Sequence, residues 1–162
     1  SRPGHFRGVA TIVLKLFNIV RADRAYFGLK DYQQFKVIER MARDLNVPTE
    51  VIGLPTVRET DGLAMSSRNT YLGPEERKAA LVLSKSLEYA RALLADGLTD
   101  AAELRKQVEQ FIAAEPLARI DYVAVVDPET LDCLVEVKDS VLIARAVRIG
   151  STRLIDNVVL KR

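Results

Sequence analysis

Two short stretches of the sequence combine positive charge with hydrogen-bond donors in a way that suits phosphate. The first is Gly28-Leu29-Lys30-Asp31-Tyr32-Gln33-Gln34, which follows the apolar run Ala25-Tyr26-Phe27. A turn that leads from a strand into a helix presents free backbone N–H groups, and these favour an anion. Lys30 adds a full positive charge there. The alternative is an ordinary strand-to-helix turn in which Asp31 caps the helix, and position alone favours neither.

The second stretch is Met65-Ser66-Ser67-Arg68-Asn69, inside a long connection between residues 55 and 73. Two hydroxyls beside a guanidinium can hold triphosphate oxygens through charge-assisted hydrogen bonds. A connection longer than about 12–15 residues is usually functional or disordered. Taken alone, however, this stretch reads more readily as an exposed polar loop that caps the helix after it.

Two further polar clusters lie in predicted loops, where binding and catalytic residues concentrate. They are Arg2-Pro3-Gly4-His5 and Pro55-Thr56-Val57-Arg58-Glu59. His5 is the only histidine of the chain. A plain surface-loop histidine remains as good an interpretation of it as a functional one.

The first half of the chain must position most of these residues through alternating helices and strands. Helical periodicity predicts a helix over residues 6–20 and another after Asp31, and β-forming runs predict strands over 25–27 and 51–54. A strand–helix–strand unit makes the two strands parallel, and such sheets bind ligands at the carboxyl ends of their strands. Parallel sheets need cover on both faces and usually several strands. The sequence therefore predicts the last βαβ part of a larger, Rossmann-like α/β sheet.

The second half predicts a small α+β domain with two helices and an antiparallel sheet. One helix is expected from Pro74 to about Leu94, and another after Asp100, whose spacing to Glu103 resembles a capping box. That second helix is expected to end near residues 115–116. Four strands are expected, over residues 120–126, 134–137, 141–149 and 154–159. Gly150-Ser151 reads as a hairpin turn.

Composition and charge narrow the classes of function. The chain has 162 residues and one cysteine, Cys133, which fits a reducing cytoplasm. No apolar run approaches the 20 residues of a membrane helix, and the N-terminus has no signal-peptide layout. Residues 1–30 carry six cations and one acid, which suits phosphate-bearing partners, although charge alone favours a solvated surface. No interleaving of basic and aromatic residues argues for nucleic acid.

Four strings together resemble one family, the pantothenate synthetases, in the family's own order. They are RPGHFRGV, YFGLKDYQQ, PTVRETDGLAMSSRN and TRLIDN. The resemblance covers essentially the whole chain. The family belongs to the nucleotidyltransferase superfamily, with the class I aminoacyl-tRNA synthetases, in which an early His-rich motif and a later Lys-Met-Ser-Lys-Ser-type loop hold ATP. Met65-Ser66-Ser67-Arg68 resembles this family's form of the later loop.

The resemblance implies an ATP-dependent ligase that condenses pantoate with β-alanine through a pantoyl adenylate, releasing pyrophosphate and AMP. Gln34 is implied to bind pantoate, while His5 and Arg2 align with positions near the site. Mg²⁺ is implied to be bound through the phosphates, without protein ligands of its own. The residues implied to bind ATP are Gly28, Leu29, Lys30, Asp31, Val57, Met65, Ser66, Ser67 and Arg68.

Under this resemblance, residues 1–55 are the end of a nucleotide-binding domain, and residues 56–162 are an α+β lid. Leu29 departs from the polar residue often found there, which matters little if only its backbone is used. The family's early His-x-Gly-His motif, expected to supply the proton donor and much of the ATP cradle, is missing from the 162 residues. No catalytic residue is therefore assigned within the chain.

We accordingly expect the chain to be the C-terminal portion of a longer cytoplasmic enzyme and to be inactive alone. The expected partners are small molecules and a second copy of the same protein, with neither nucleic acid nor membrane. Two alternatives stay open. The first is another adenylate-forming nucleotidyltransferase, and the second is a non-catalytic folding or dimerisation fragment.

Overall fold

A computed structural model describes residues 4–162, and in it the chain divides into two units. One unit ends at Thr56, and the other covers Val57–Arg162. Each unit has its own apolar core, and the residues of the two cores do not overlap. None of the helices formed by residues 4–162 is long and apolar enough to cross a membrane.

The first unit is the predicted strand–helix–strand arrangement preceded by a helix. Its two strands are parallel, with Arg24 opposite Glu50 and Gly28 opposite Leu54. A parallel pair requires a crossover connection, and helix α2 provides it. The elements are α1 (His5–Val20), β1 (Arg24–Gly28), α2 (Tyr32–Asp44) and β2 (Glu50–Leu54).

The core of this unit fixes the end of strand β1. Phe17 of α1 and Ile38 of α2 are buried against the strands. The ring of Phe17 meets that of Phe27 edge to face, with 6.4 Å between centroids. Such pairs contribute about 0.5–1.5 kcal/mol beyond the burial of their area. Because Phe27 directly precedes Gly28, this contact holds the point from which the Lys30 turn departs.

Gly53 of β2 leaves room for the side chains that cover the strand. A Cβ atom built on Gly53 would lie 2.6 Å from Leu29 Cδ2 and 3.1 Å from Phe35 Cζ. We expect Gly53→Ala to destabilise the protein by about 1–3 kcal/mol, the usual cost of overpacking, in urea denaturation followed by circular dichroism. Gly28→Ala is the matched control, because a Cβ atom there would meet nothing within 4 Å. Equal effects of the two substitutions would contradict the packing argument.

The second unit is an antiparallel sheet covered by helices. The strand order is β3-β4-β5. Buried side chains of α4 and α5, such as Leu87 and Leu104, pack with those of the strands, such as Ile143 and Val147, in a single core. The elements are α3 (Pro74–Ala79), α4 (Leu81–Ala95), α5 (Ala101–Ala113), β3 (Ala118–Val126), β4 (Ser140–Ile149) and β5 (Thr152–Lys161).

Two local signals in this unit behave as the sequence predicts. Gly150 and Ser151 connect β4 to β5, with Ile149 paired to Thr152, and Gly150 adopts a left-handed φ of +57°. The side chain of Asp100 accepts a hydrogen bond from the Glu103 N–H, at 2.7 Å, at the start of α5.

Two predictions about the elements of this unit are wrong. The first is the single helix expected from Pro74 to about Leu94, which is divided at Ala80, where the Leu83 N–H bonds to the Ala80 carbonyl, 3.1 Å away and only three residues back. Helix α5 ends at Ala113, close to the expected residues 115–116.

The expected strand over residues 134–137 does not form either. Its backbone instead bonds to the segment before α5, through Val137 N–H to the Thr99 carbonyl and Ala101 N–H to the Val135 carbonyl. The apolar residues of this segment therefore do not form a strand of the sheet, and the side chain of Val135 is exposed.

Candidate functional site

The Lys30 turn leaves the carboxyl end of strand β1, as the sequence predicts. Gly28 is the last residue of the strand, and Leu29, Lys30 and Asp31 form a single 3₁₀ turn that leads into α2. Asp31 is exposed, and its side chain makes no capping hydrogen bond. The expected role of Asp31 as a helix cap is therefore wrong, because the inserted 3₁₀ turn changes the geometry at the start of α2.

Leu29 has a packing role in this turn. Its side chain lies directly over the backbone of Gly53 on the neighbouring strand, which has no side chain in the way. An apolar residue fits this position, whatever its backbone does. The packing joins the turn to strand β2 and so restrains the position of Lys30.

His5 and Gln34 line the same cavity, an open depression of the surface of about 660 Å³. The cavity lies along the first half of α1, beside Gln34 in the first turn of α2, and its remaining lining residues are Gly4, Gly8, Val9, Ile12 and Val13. Apart from the His5 ring and the Gln34 amide, its side chains are small or apolar. Arg2, the other N-terminal candidate, lies outside the described residues.

Residues 57–65 form a short hairpin that brings two candidate residues together. The Met65 N–H donates to the Val57 carbonyl at 2.9 Å, and the Glu59 N–H donates to the Leu63 carbonyl at 2.8 Å. Leu63 and Ala64 are buried, and Leu63 anchors the hairpin in the core of the second unit. Val57 and Met65 lie side by side at its open end, with 65% and 54% of their surface exposed.

The Ser66–Arg68 segment starts a 3₁₀ turn that runs over Ser67–Tyr71. Ser66 Oγ accepts a hydrogen bond from the Arg68 N–H at 3.2 Å, and the Asn69 N–H donates to the Ser66 carbonyl at 3.0 Å. Ser67 and Arg68 are exposed. These bonds hold two hydroxyls and one guanidinium within a single turn on the surface.

This turn does not cap helix α3, contrary to the alternative considered for it. The N–H of Gly73, the capping position, donates to the Glu76 carboxylate at 2.9 Å, and Pro74 occupies the first helical position. Ser66 caps its own 3₁₀ turn, and the start of α3 is capped by Gly73 and Glu76. The Ser67 hydroxyl and the Arg68 guanidinium therefore have no capping role at α3.

A group of charged residues braces the hairpin and the turn. Arg77 Nη2 on α3 donates to Glu59 at 2.8 Å and lies 2.7 Å from Asp61 Oδ2. Asn69 Nδ2 donates to the other Glu59 oxygen at 2.6 Å. The hydrogen bonds from Asn69 and Arg77 hold the pKa of the Glu59 carboxyl below its usual range, and Arg77 lowers the pKa of Asp61 as well.

The comparisons with known proteins cover nearly the whole chain. The model of the family described as pantoate-beta-alanine ligase matches residues 1–159. The chain belongs to this family. The pantothenate synthetase of Heliobacterium modesticaldum is 60% identical over 161 residues, which are 99% of this chain and 57% of the relative. That of Moorella thermoacetica is 59% identical with the same coverage. The chain thus spans little more than half the length of these relatives.

Solved structures of pantoate-beta-alanine ligases have the same fold. The pantothenate synthetase from Thermus thermophilus is 51% identical, with a TM-score of 0.91 over 97% of this chain and 56% of that one. The ligase from Francisella tularensis, complexed with beta-gamma ATP and beta-alanine, is 31% identical, with a TM-score of 0.66 over 97% of this chain and 51% of its own. These matches confirm both the family resemblance and the predicted fold class.

In this member of the pantoate-beta-alanine ligase family, an ion pair joins two of the strings that carried the resemblance. Arg58 of the loop string donates to both carboxylate oxygens of Asp156 in TRLIDN, at 2.8 and 3.0 Å. Asp156 is buried on β5, and Arg145 Nη2 of β4 lies 3.8 Å from it. Burial lowers the pKa of Arg145 to about 10. This ion pair joins Arg58, near the open end of the hairpin, to strand β5 of the sheet.

Sequence reasoning assigned no role to any residue of these two charged groups. Arg58, Glu59, Asp61, Asn69 and Asp156 lay inside the quoted strings, whereas Arg77 and Arg145 drew no attention. Their partners are up to 98 residues away along the chain, and no local periodicity signals such pairs. The available signal was a charged residue within an apolar strand run, as at Asp156 in β5 and Arg145 in β4.

Proposed function

We propose that this chain supplies ATP- and pantoate-binding residues of an AMP-forming pantoate–β-alanine ligase. The observation that carries this proposal is the family match over residues 1–159. The beta-gamma ATP and beta-alanine bound to the Francisella tularensis relative support ATP and β-alanine as its substrates. In this proposal the unit that ends at Thr56 is the end of the nucleotide-binding domain, and Val57–Arg162 is the lid.

The reaction must activate a carboxylate, which is a poor electrophile. The pantoate carboxylate oxygen attacks the α-phosphorus of ATP, and the bond to the bridging oxygen breaks to release pyrophosphate. The β-alanine amine then attacks the acyl carbon of the adenylate and loses a proton, and AMP leaves with the electron pair of its C–O bond. Such phosphoryl chemistry depends on positioning and on charge stabilisation.

Positive charge for the phosphates comes from Lys30 and Arg68 in this proposal. Lys30 sits in the turn at the carboxyl end of β1, with Gly28, Leu29 and Asp31 bordering the nucleotide. Ser66 and Ser67 add hydroxyl groups beside Arg68, and Met65 lies next to them. Donors that are in place before the reaction stabilise developing charge without reorganisation. Val57 meets the adenosine part through its backbone, whose carbonyl already accepts the Met65 N–H.

Pantoate is assigned to Gln34. The cavity that Gln34 shares with His5 is otherwise lined by glycine and aliphatic residues. Pantoate carries a dimethyl-substituted carbon between two hydroxyl-bearing carbons, so an amide donor within an apolar lining suits it. His5, on the same cavity, is placed to contact the substrate as well, and Arg2 is retained as a residue near the site.

Mg²⁺ is assigned to the phosphates of ATP. Phosphate oxygens and water are the hard ligands that this ion prefers, and it neutralises part of the pyrophosphate charge when bound. Residues 4–162 contain no group of three or more His, Cys, Asp or Glu side chains arranged to hold a metal. Lys30 and Arg68, which this proposal assigns to the phosphates, carry positive charge and do not compete as metal ligands.

For the whole protein we propose a cytoplasmic homodimer whose partners are its small-molecule substrates. Sedimentation analysis of the longer protein at micromolar concentration tests this assembly. A monomer over the full concentration range would contradict it.

The proposed function is tested by AMP release in a full-length protein that carries this chain. Release should require pantoate and β-alanine together. AMP release with another carboxylic acid but not with pantoate would favour another adenylate-forming enzyme. A protein that folds and binds neither ATP nor pantoate would favour the non-catalytic alternative.

The 162-residue chain alone is expected to make no pantothenate at a normal rate. The chain contains a single histidine, His5, and so has no His-x-Gly-His motif. Each missing preorganised contact to phosphate or oxyanion typically costs about 10²–10³ in rate. The measurement is AMP release by the chain beside the full-length protein. Equal turnover would show that the catalytic groups lie within these residues.

A further inference from the structure

One carboxylate links the hairpin of residues 57–65 to the turn that carries Ser66, Ser67 and Arg68. Glu59 Oε1 accepts from Asn69 Nδ2 at 2.6 Å, and Glu59 Oε2 accepts from Arg77 Nη2 at 2.8 Å. Asn69 directly follows Arg68, and its backbone N–H closes the turn on the Ser66 carbonyl. Glu59 therefore connects this turn to helix α3 through side chains alone.

The Asn69 side-chain amide fits this link in only one orientation. Its Nδ2 donates to Glu59 and also to the Ala64 carbonyl, at 3.2 Å. Reversing the amide would place Oδ1 against these two acceptors, which is unfavourable. Two acceptors that belong to the hairpin thus hold the residue next to Arg68 in one position.

We propose that Glu59 is a positioning residue for the Ser66–Arg68 turn, holding it through Asn69 in the geometry that receives triphosphate. This inference rests on the proposed function, because it takes the turn to be the triphosphate-binding element. Glu59 itself touches no substrate. Arg77 pairs with the Glu59 carboxylate at 2.8 Å, and it pairs with Asp61 as well, so it offsets only part of the negative charge of the two carboxylates beside the turn.

Asp61 provides a matched control within the same hairpin. Its carboxylate lies 2.7 Å from the same Arg77 nitrogen, and its side chain is 38% exposed, against 35% for Glu59. It has no hydrogen bond to Asn69 among the bonds of the described residues, but it also accepts one from the Leu63 N–H at 3.2 Å within the hairpin. Asp61→Ala therefore removes the Arg77 contact and a hairpin hydrogen bond, and a larger effect of Glu59→Ala points to the link to the turn.

The experiment measures single-turnover pyrophosphate release at saturating ATP and pantoate in the full-length protein that carries this chain. Glu59→Ala should slow release by about tenfold or more, since a displacement of about 1 Å can cost 10². Glu59→Gln keeps an acceptor for Asn69 and should stay within about threefold of the parent, as should Asp61→Ala. Adenosine affinity should be unchanged in all three variants.

Amide hydrogen exchange of residues 66–69 gives a readout that does not depend on activity. Exchange should accelerate in Glu59→Ala and remain near the parent rate in Asp61→Ala. Equal exchange and equal pyrophosphate release in these two variants would overturn the inference. If Glu59→Ala is unfolded, Asn69→Ala removes the same hydrogen bond from its other end and carries the same expected and contrary results.

Arg68→Ala separates failure of this inference from failure of the proposed function. Slow release in Arg68→Ala with normal release in Glu59→Ala would leave the triphosphate role standing and reject Glu59 as a positioning residue. Normal pyrophosphate release in Arg68→Ala would reject the triphosphate role of Arg68. It would then also reject any effect of the Glu59–Asn69 hydrogen bond on catalysis.

Discussion

Replacing Asp156 by alanine is expected to destabilise the protein by about 3–5 kcal/mol, the usual cost of removing one partner of a buried ion pair. Arg58 would lose both hydrogen bonds to the carboxylate, and Arg145 would lose its nearest negative charge. The side chain of Arg145 is fully buried, and its guanidinium nitrogens have no hydrogen-bond partner among the described residues. An uncompensated cation would then remain in the core.

Urea denaturation followed by circular dichroism measures this loss, and amide exchange of strand β4 reports the affected unit directly. Asp121→Ala is the control, because it removes an ion pair of β3 and β5 whose partners are 40% and 37% exposed. Exposed pairs contribute little, so its effect should be much smaller. Adding Arg145→Met to Asp156→Ala should recover part of the loss, since an apolar side chain removes the buried charge. Equal effects of Asp156→Ala and Asp121→Ala would show that the cluster is not a buried charge site.

Replacing Arg68 by alanine is expected to slow adenylate formation by about 10–150-fold. A hydrogen bond to a charged group contributes roughly 1.5–3 kcal/mol, and about 1.36 kcal/mol corresponds to a tenfold rate. In the proposed function, Arg68 neutralises negative charge as pyrophosphate departs, whereas adenosine contacts other groups, including Val57. Arg68→Lys should restore only part of the rate, because an ammonium is a point charge without the planar fork of the guanidinium.

Pre-steady-state pyrophosphate release, run beside a binding titration with adenosine, distinguishes these roles. Arg91→Ala is the control for the loss of one positive charge, since Arg91 is an exposed residue of α4, paired only at 3.5 Å with Glu88. If Arg68→Ala weakened adenosine binding and left release at saturating ATP unchanged, the phosphate role would be wrong. A role of Arg68 in supporting the loop alone would lower stability and leave the kinetics of the folded protein near normal.

Local patterns in the sequence determined the order of elements and the nature of the first unit. The spacing of Val9, Val13 and Phe17 predicts α1 because apolar residues four apart lie on one face of a helix. The short β-forming runs at Ala25–Phe27 and Val51–Leu54 predict two parallel strands, since a helix lies between them. Pro74 begins a helix and Gly150 forms a hairpin turn. Both outcomes follow from the backbone preferences of proline and glycine and need no tertiary contact.

The same local rules fail where a distant partner decides the outcome. The segment at Leu134–Val137 has the apolar character of a strand, yet its backbone bonds to Thr99 and Ala101, and a full ladder does not form. The helix predicted over Pro74–Leu94 is divided at Ala80, where nothing in the sequence marks a break. Asp31 stands at a typical capping position, but after the 3₁₀ turn its side chain makes no capping hydrogen bond to α2.

The candidate site divides in the same way. Charge and hydroxyl groups at Lys30 and at Ser66–Arg68 are visible in the sequence, because their chemistry depends on residue type and on a strand end or a loop. What holds the second group became visible only in the tertiary structure, through pairs such as Glu59 with Arg77 and Arg58 with Asp156, 18 and 98 residues apart. The physical reason is that an ion pair depends on distance in space, and residues so far apart meet only after the sheet and helices have packed.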